Sequence, residues 1–143
     1  MSVKQISVFL ENKKGRLAQV TSVLSTEKIN IRALSLADTA DFGVLRIIVN
    51  NPERCLAVLK ANSFVAQVTE VIAIEVEDKP GGLARILEVL DQDNVNVEYM
   101  YAYVEKTREN AIVICKIDDR ERALQVLEKN DIAVVRAEEL KTL

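Results

Sequence analysis

Two stretches of this chain are copies of one another. "ENKKGRLAQVTSVLSTEKINIRALSLAD" starts at Glu11, and "EDKPGGLARILEVLDQDNVNVEYMYAYV" starts at Glu77. With Gly15 laid over Gly81, an offset of 66, six of the 17 positions from Gly15 to Ile31 are identical in Gly81–Val97: Gly15/Gly81, Leu17/Leu83, Ala18/Ala84, Val23/Val89, Leu24/Leu90 and Asn30/Asn96. Further on the offset becomes 68, and Leu56, Val58, Leu59 and Asn62 match Leu124, Val126, Leu127 and Asn130. The second copy thus carries two extra residues, most simply in a hairpin loop near Glu105–Asn110. A duplication means that one supersecondary unit is built twice. The expected domains are 1–69 and 70–143.

Each copy carries the same periodicities. Ile6–Val8–Leu10 and Ile72–Ile74–Val76 alternate as half-buried strands do. After the glycines, Leu17, Val20 and Leu24, like Leu83, Ile86, Leu87 and Leu90, recur at helical spacing. Strands are predicted at Ile29–Leu36 or Val95–Val104, and then at Val44–Val49 or Ile112–Ile117. Asn51-Pro52-Glu53 is a helix start with a capping side chain and proline at the first helical position, and Asp119 takes the cap in copy two. A last strand near Phe64–Thr69 or Ile132–Arg136 closes each unit. The order is βαββαβ. The predicted class is α+β: two ferredoxin-like units, each an antiparallel sheet with helices on one face and the other face partly open. A unit of about 70 residues buries only about 60% of its unfolded surface, so the two are expected to support each other. VAQVTEVIAIEV leaves almost no linker at the junction near Thr69–Glu70.

Composition narrows the function. The chain of 143 residues is 49% hydrophobic and 29% charged, which excludes disorder along its length. Its net charge of −3, with scattered Lys and Arg, argues against nucleic acid and anionic membrane as partners. No apolar run approaches the roughly 20 residues a membrane helix needs, and the N-terminus lacks a signal-peptide pattern, so a cytoplasmic location is expected. Histidine is absent, which removes the commonest general base and metal ligand. Cys55 and Cys115 stand apart in no CxxC motif and read as buried thiols. Asp118-Asp119 and Glu138-Glu139 read as solvated or capping acids. Neither metal nor cofactor is expected.

The glycine turns carry the chemistry. Gly81 and Gly82 can adopt backbone angles that other residues resist, and they precede a helix. Helix N-termini expose unpaired N–H groups that attract carboxylates. An α-amino acid also carries an ammonium, which suits Asp78 or the amide oxygen of Asn96. The turn alone permits two readings: a ligand site whose carboxylate contacts are the N–H groups of Gly82 and Leu83, or a plain corner. Asn30 and Asn96 each follow a helix end, where a local backbone bond is the competing explanation. Tyr99, Tyr101 and Tyr103 share one strand face and could wall a pocket or cover a sheet–sheet or subunit contact. Copy one has Ala33, Ser35 and Ala37 there.

These residues resemble the ACT domain, a small amino-acid-sensing module. Its turn, acid-x-Pro-Gly-x-Leu, and its later Asn-hydrophobic pair match Asp78-Lys79-Pro80-Gly81-Gly82-Leu83 and Asn96-Val97. Copy one departs: Asn12 replaces the acid and Lys14 the proline, while Gly15, Leu17 and Asn30-Ile31 remain. The resemblance implies a stand-alone tandem ACT protein that binds an amino-acid effector where the turn of one unit meets the second strand of another. The implied ligand residues are Asp78, Gly81, Gly82, Leu83, Asn96 and Val97. Their copy-one counterparts are Asn12, Gly15, Arg16, Leu17 and Asn30. It also implies a homo-oligomer, most simply a dimer. An alternative is a non-catalytic regulatory subunit of a separate amino-acid biosynthetic enzyme. A small enzyme is disfavoured by the absent histidine, and RNA binding on the open sheet by the acidic charge and the lack of an RRM-type aromatic motif.

Overall fold

The computed structural model describes residues 2–38, 41–103 and 109–142. Two compact units emerge: Lys4–Thr69, and Glu70 onward together with the N-terminal residues up to Val3. The N-terminal unit runs β1 (Val3–Glu11), α1 (Arg16–Thr26), β2 (Ile31–Asp38), β3 (Phe42–Val49), α2 (Pro52–Ala61) and the first part of β4 (Val65–Val76). The C-terminal unit takes the rest of β4, then α3 (Gly82–Gln92), β5 (Val97–Tyr103), β6 (Ala111–Ile117), α4 (Arg120–Lys129), β7 (Val134–Val135) and α5 (Ala137–Thr142). The last strand of copy one and the first of copy two are therefore one unbroken strand.

Strand order is β4-β1-β3-β2 in the N-terminal unit and β7-β4-β6-β5 in the C-terminal unit, the same order twice. β3 pairs antiparallel with β1 and β2, and β4, β5, β6 and β7 pair antiparallel likewise. Alternation drives the packing. Ile6, Val8 and Leu10 of β1 face Val20 and Leu24 of α1 and Leu59 of α2 in one buried cluster. Ile72, Ile74 and Val76 face Ile86 and Leu90 of α3 and Leu127 of α4 in the other. Each such aliphatic side chain contributes about 1.5–3 kcal/mol on burial. Asn51 and Asp119 cap α2 and α4, accepting from the N–H groups of Arg54 (3.2 Å) and Arg122 (3.1 Å).

All four long helices end alike. Lys28, Ser63, Asn94 and Asp131 hold φ between 56° and 64°. The next N–H then folds back onto the helix, as from Ile29 to the Leu24 carbonyl and from Val95 to the Leu90 carbonyl (2.9 and 3.0 Å). This exit uses up Ile29–Asn30 and Val95–Asn96, so β2 and β5 begin at Ile31 and Val97, two residues later than the alternation predicts. The predicted strand end at Val104 and most of the predicted loop, 105–108, lie outside the described residues.

Two expectations about the C-terminus need correction. The last strand is only Val134–Val135, paired with Ala73 and Ile74, rather than Ile132–Arg136. A short helix, α5, follows, with Glu138 and Glu139 in its first turn, where acids suit the positive end of the helix dipole. This helix reaches the sheet face expected to be partly open. Tyr103 lies opposite Ile112 and Tyr101 opposite Ile114. Tyr103 is buried, as are both isoleucines, and its hydroxyl donates to the Leu140 carbonyl at 3.3 Å. Tyr99 and Tyr101 are half-buried.

Candidate ligand site at the glycine turns

The two turns are built alike. Gly15 and Gly81 stand at the N-caps of α1 and α3 with φ of 87° and 86°, the left-handed region. The carbonyls of Glu11 and Glu77 accept from the N–H groups of Lys13 (2.8 Å) and Lys79 (2.9 Å). The next corner closes from the Arg16 N–H to the Lys13 carbonyl (3.3 Å), and from the Gly82 N–H to the Lys79 carbonyl (3.0 Å). A glycine at the cap brings no side-chain acceptor, and none caps either helix. Among the described residues the N–H groups of Leu17 and Ala18, and of Leu83 and Ala84, therefore have no internal partner. Each turn thus presents two adjacent donors at the positive end of a helix.

This geometry corrects the expected donor pair. Gly82 spends its N–H inside the turn, so the available donors are Leu83 and Ala84. Gly82 is also buried, and a Cβ there would strike the Glu77 carbonyl oxygen and lie 3.1 Å from its carbon. A larger residue would deform the turn before it met any ligand.

The expected residues fall into separate places. Gly81 and Gly82 line a cavity of about 410 Å³ with Glu77, Lys79, Arg85 and Asp131. Asp78 is exposed beside it and makes no ion pair among the described residues. Leu83 projects from the first turn of α3, 39% exposed. Asn96 and Val97 lie at the other end of α3, whose 11 residues span about 16 Å. Asn96 of the same unit is therefore far from the Leu83 and Ala84 amides. The Asn96 N–H donates to the Asp118 carboxylate (3.1 Å), and its carbonyl accepts from the Asp118 N–H (3.2 Å). Asn30 makes the same pair of bonds with Asn50. These bonds use the main chain of each asparagine and join residues 20 and 22 positions apart, so they are not the local side-chain bond that was the competing explanation. In the N-terminal unit, Asn12, Arg16 and Leu17 line a cavity of about 90 Å³ with Leu36 and Gly43, and Asn30 lines a different, shallow one.

Two turn residues escaped the sequence reading. Glu11 and Glu77 bind Lys13 and Lys79 at 2.7 Å in each case, and Glu11 also binds Arg16 at 3.0 Å. Hydrogen bonds from Lys13 and then Arg16 hold the Glu11 carboxyl below its ordinary range, and Lys79 does the same for Glu77. The signal was available, because Glu-x-Lys-x-Gly stands in both copies at the offset of 66. The acidic pair Asp118-Asp119 is occupied in capping and strand-start bonds. Among the described residues no cluster of acids or thiols could hold a metal, and no helix is long and apolar enough to cross a membrane.

The twin architecture has relatives. A crystallised protein from Bacteroides thetaiotaomicron is 40% identical over 100% of this chain and 98% of its own, with a TM-score of 0.92. The ligand-free regulatory subunit of aspartate kinase from Thermus thermophilus shares the fold at 17% identity and TM-score 0.62, over 88% of this chain and 91% of its own. That from Thermus flavus does so at 16% and 0.59, over 88% and 90%. No curated protein matches the sequence. The family described as the ACT domain pair matches residues 1–143, and the chain belongs to it.

Proposed function

We propose that this chain is a regulatory amino-acid-binding protein with no chemistry of its own. The observation that carries the reading is the pair of amides at each glycine turn, Leu83 and Ala84 above all, that have no internal partner among the described residues, in a turn that also carries the exposed Asp78. An α-carboxylate accepts from the two amides, and Asp78 takes the ammonium. The second strand of another ACT unit closes the site and supplies an Asn96- or Asn30-type contact. Occupancy then favours one packing of the units over another. The N-terminal turn is the weaker site, because Asn12 brings no charge to an ammonium. A thermal-shift screen of the twenty amino acids tests the reading: a ligand that prefers the folded state raises the melting temperature.

The assembly proposed is a homodimer. β2 is an edge strand of its sheet and exposes Leu34 (56%) and Leu36 (49%), with Leu17 (40%) on the start of α1. An apolar stripe along an unpaired strand edge suits a second copy. The tyrosine face carries this argument less well, since Tyr103 meets the chain's own α5. The same stripe favours a second reading, contact with a separate biosynthetic enzyme as its regulatory subunit; the Thermus proteins are named regulatory subunits of aspartate kinase. Co-purification of an enzyme from native extract separates it from a free sensor.

A further inference from the structure

Asp78 and Lys79 are neighbours of opposite charge, yet they do not pair. The Lys79 ammonium turns back to the Glu77 carboxylate at 2.7 Å, and Asp78 makes no ion pair among the described residues. The main chain joins the same two partners, since the Lys79 N–H donates to the Glu77 carbonyl at 2.9 Å. Glu77 thus holds its lysine through both backbone and side chain. Arg85 adds to the positive field at Glu77, but its guanidinium is anchored on the Asn130 carbonyl at 3.0 Å. Lys79 is therefore the cation that Glu77 controls.

The twin turn keeps this arrangement. Lys13 binds Glu11 in the same two ways, at 2.8 Å in the main chain and 2.7 Å between side chains. Around the pair the turn has changed: Asn12 stands for Asp78, Lys14 for Pro80 and Arg16 for Gly82. Stability does not explain why the pair stayed. Its four side chains are 41–67% exposed, and exposed ion pairs contribute little to folding. What the pair governs is where a positive charge goes. A lysine released beside Asp78 competes with any other cation for that carboxylate; one bound to Glu77 does not.

We propose that Glu77 is a specificity-determining residue of the glycine-turn site: by holding Lys79, it keeps the Asp78 carboxylate open to a ligand's ammonium and so selects α-amino acids over carboxylic acids that lack one. This inference rests on the reading of the turn as a ligand site. Hydrogen bonding from Lys79 holds the Glu77 carboxyl below its ordinary range, so the hold persists through neutral pH. In the N-terminal turn Asn12 offers no carboxylate to keep open, and Glu11 only neutralises Lys13 and Arg16 (2.7 and 3.0 Å).

The test has a ligand-free arm and a binding arm, both on the full chain. In the first, side-chain carboxyl carbon resonances are recorded at pH 7. Lys79→Gln should move the Glu77 resonance and leave Asp78 in place. In a Glu77→Gln background the same change should move Asp78. In the second arm the probes are the twenty L-amino acids and, for each that raises the melting temperature, the 2-hydroxy acid with the same side chain. Calorimetry of Glu77→Gln should show the amino acid weakened about fivefold or more and the 2-hydroxy acid no weaker. Adding Lys79→Gln should restore the amino acid to within about twofold of wild type, because the competing cation is gone. A merely structural role of Glu77 in the corner would leave the double variant as weak as the single one. Glu11→Gln, the same change where no acid stands beside the lysine, should leave the amino acid within about twofold of wild type. The proposal is overturned if Asp78 ignores Lys79 in both backgrounds, if Glu77→Gln binds as wild type does, or if the double variant stays weak. If no amino acid binds wild type, the reading of the turn as a ligand site falls and the specificity role with it, whereas binding that is lost in Asp78→Asn and unaltered in Glu77→Gln sinks the specificity role alone.

Discussion

The Glu77 carbonyl lies so close to Gly82 that a Cβ on this glycine would overlap its oxygen and come within 3.1 Å of its carbon. Both partners are main chain, so no flexible side chain can swing aside. Gly82→Ala should destabilise the C-terminal unit by about 1–3 kcal/mol, the range for forced overpacking. Urea denaturation checks this, and an unchanged midpoint would show that the turn yields. The N-terminal turn carries Arg16 at the matching position and closes more loosely, at 3.3 Å against 3.0 Å.

Gly81 behaves differently. A Cβ there meets nothing within 4 Å, but φ is +86°. Gly81→Ala should cost about 1–2 kcal/mol from left-handed strain alone. Gly15→Ala, at φ +87° and equally open, should cost the same. Equal losses in the two variants identify backbone conformation as the cause; a loss in only one would refute the equivalence of the turns.

Tyr103→Phe removes the hydroxyl that donates to the Leu140 carbonyl. We expect a loss of about 0.5–1.5 kcal/mol and faster amide exchange along α5. Unchanged exchange there would mean that apolar burial of Leu140 holds the helix alone.

Cys55 and Cys115 are buried, and burial pushes both thiols up to about 12 from an ordinary 9.0. Native protein at pH 8 should react with iodoacetamide only as fast as it unfolds. The raised values also set a sign. The folded state holds these protons more tightly than the unfolded chain, so their contribution is complete below about pH 9 and is lost as pH rises toward 12. Substituting both with Ser should flatten that alkaline decline.

What could be read from the sequence was local or periodic. The Asn51 and Asp119 caps, the alternation of Ile6–Leu10 and the glycine turns each lie within a few residues, and the repeat gave every element but α5 a second vote. Helix α5 was not legible, because its one buried apolar residue, Leu140, depends on Tyr103 far back in the chain. The closeness of Gly82 to Glu77 was hidden for a related reason: it arises only when the turn closes. The distance of Asn96 from the turn follows from the rise of the helix between them. Glu11 and Glu77 were visible as identities, yet exposed acids beside lysines look like solvated surface.

The central claim is that the C-terminal turn holds an amino acid through the Leu83 and Ala84 amides and Asp78. Its most direct measurement is titration calorimetry of wild type, Asp78→Asn and Asn12→Ala with the amino acid that gives the largest thermal shift. The account predicts that Asp78→Asn, which leaves the turn backbone untouched, weakens binding about tenfold or more, the worth of one charge-assisted bond, while Asn12→Ala stays within about twofold of wild type. Binding unchanged in Asp78→Asn and lost in Asn12→Ala would place the site in the other copy. No binding of any amino acid by wild type at millimolar concentration would contradict the account and leave the turn as a corner in the chain.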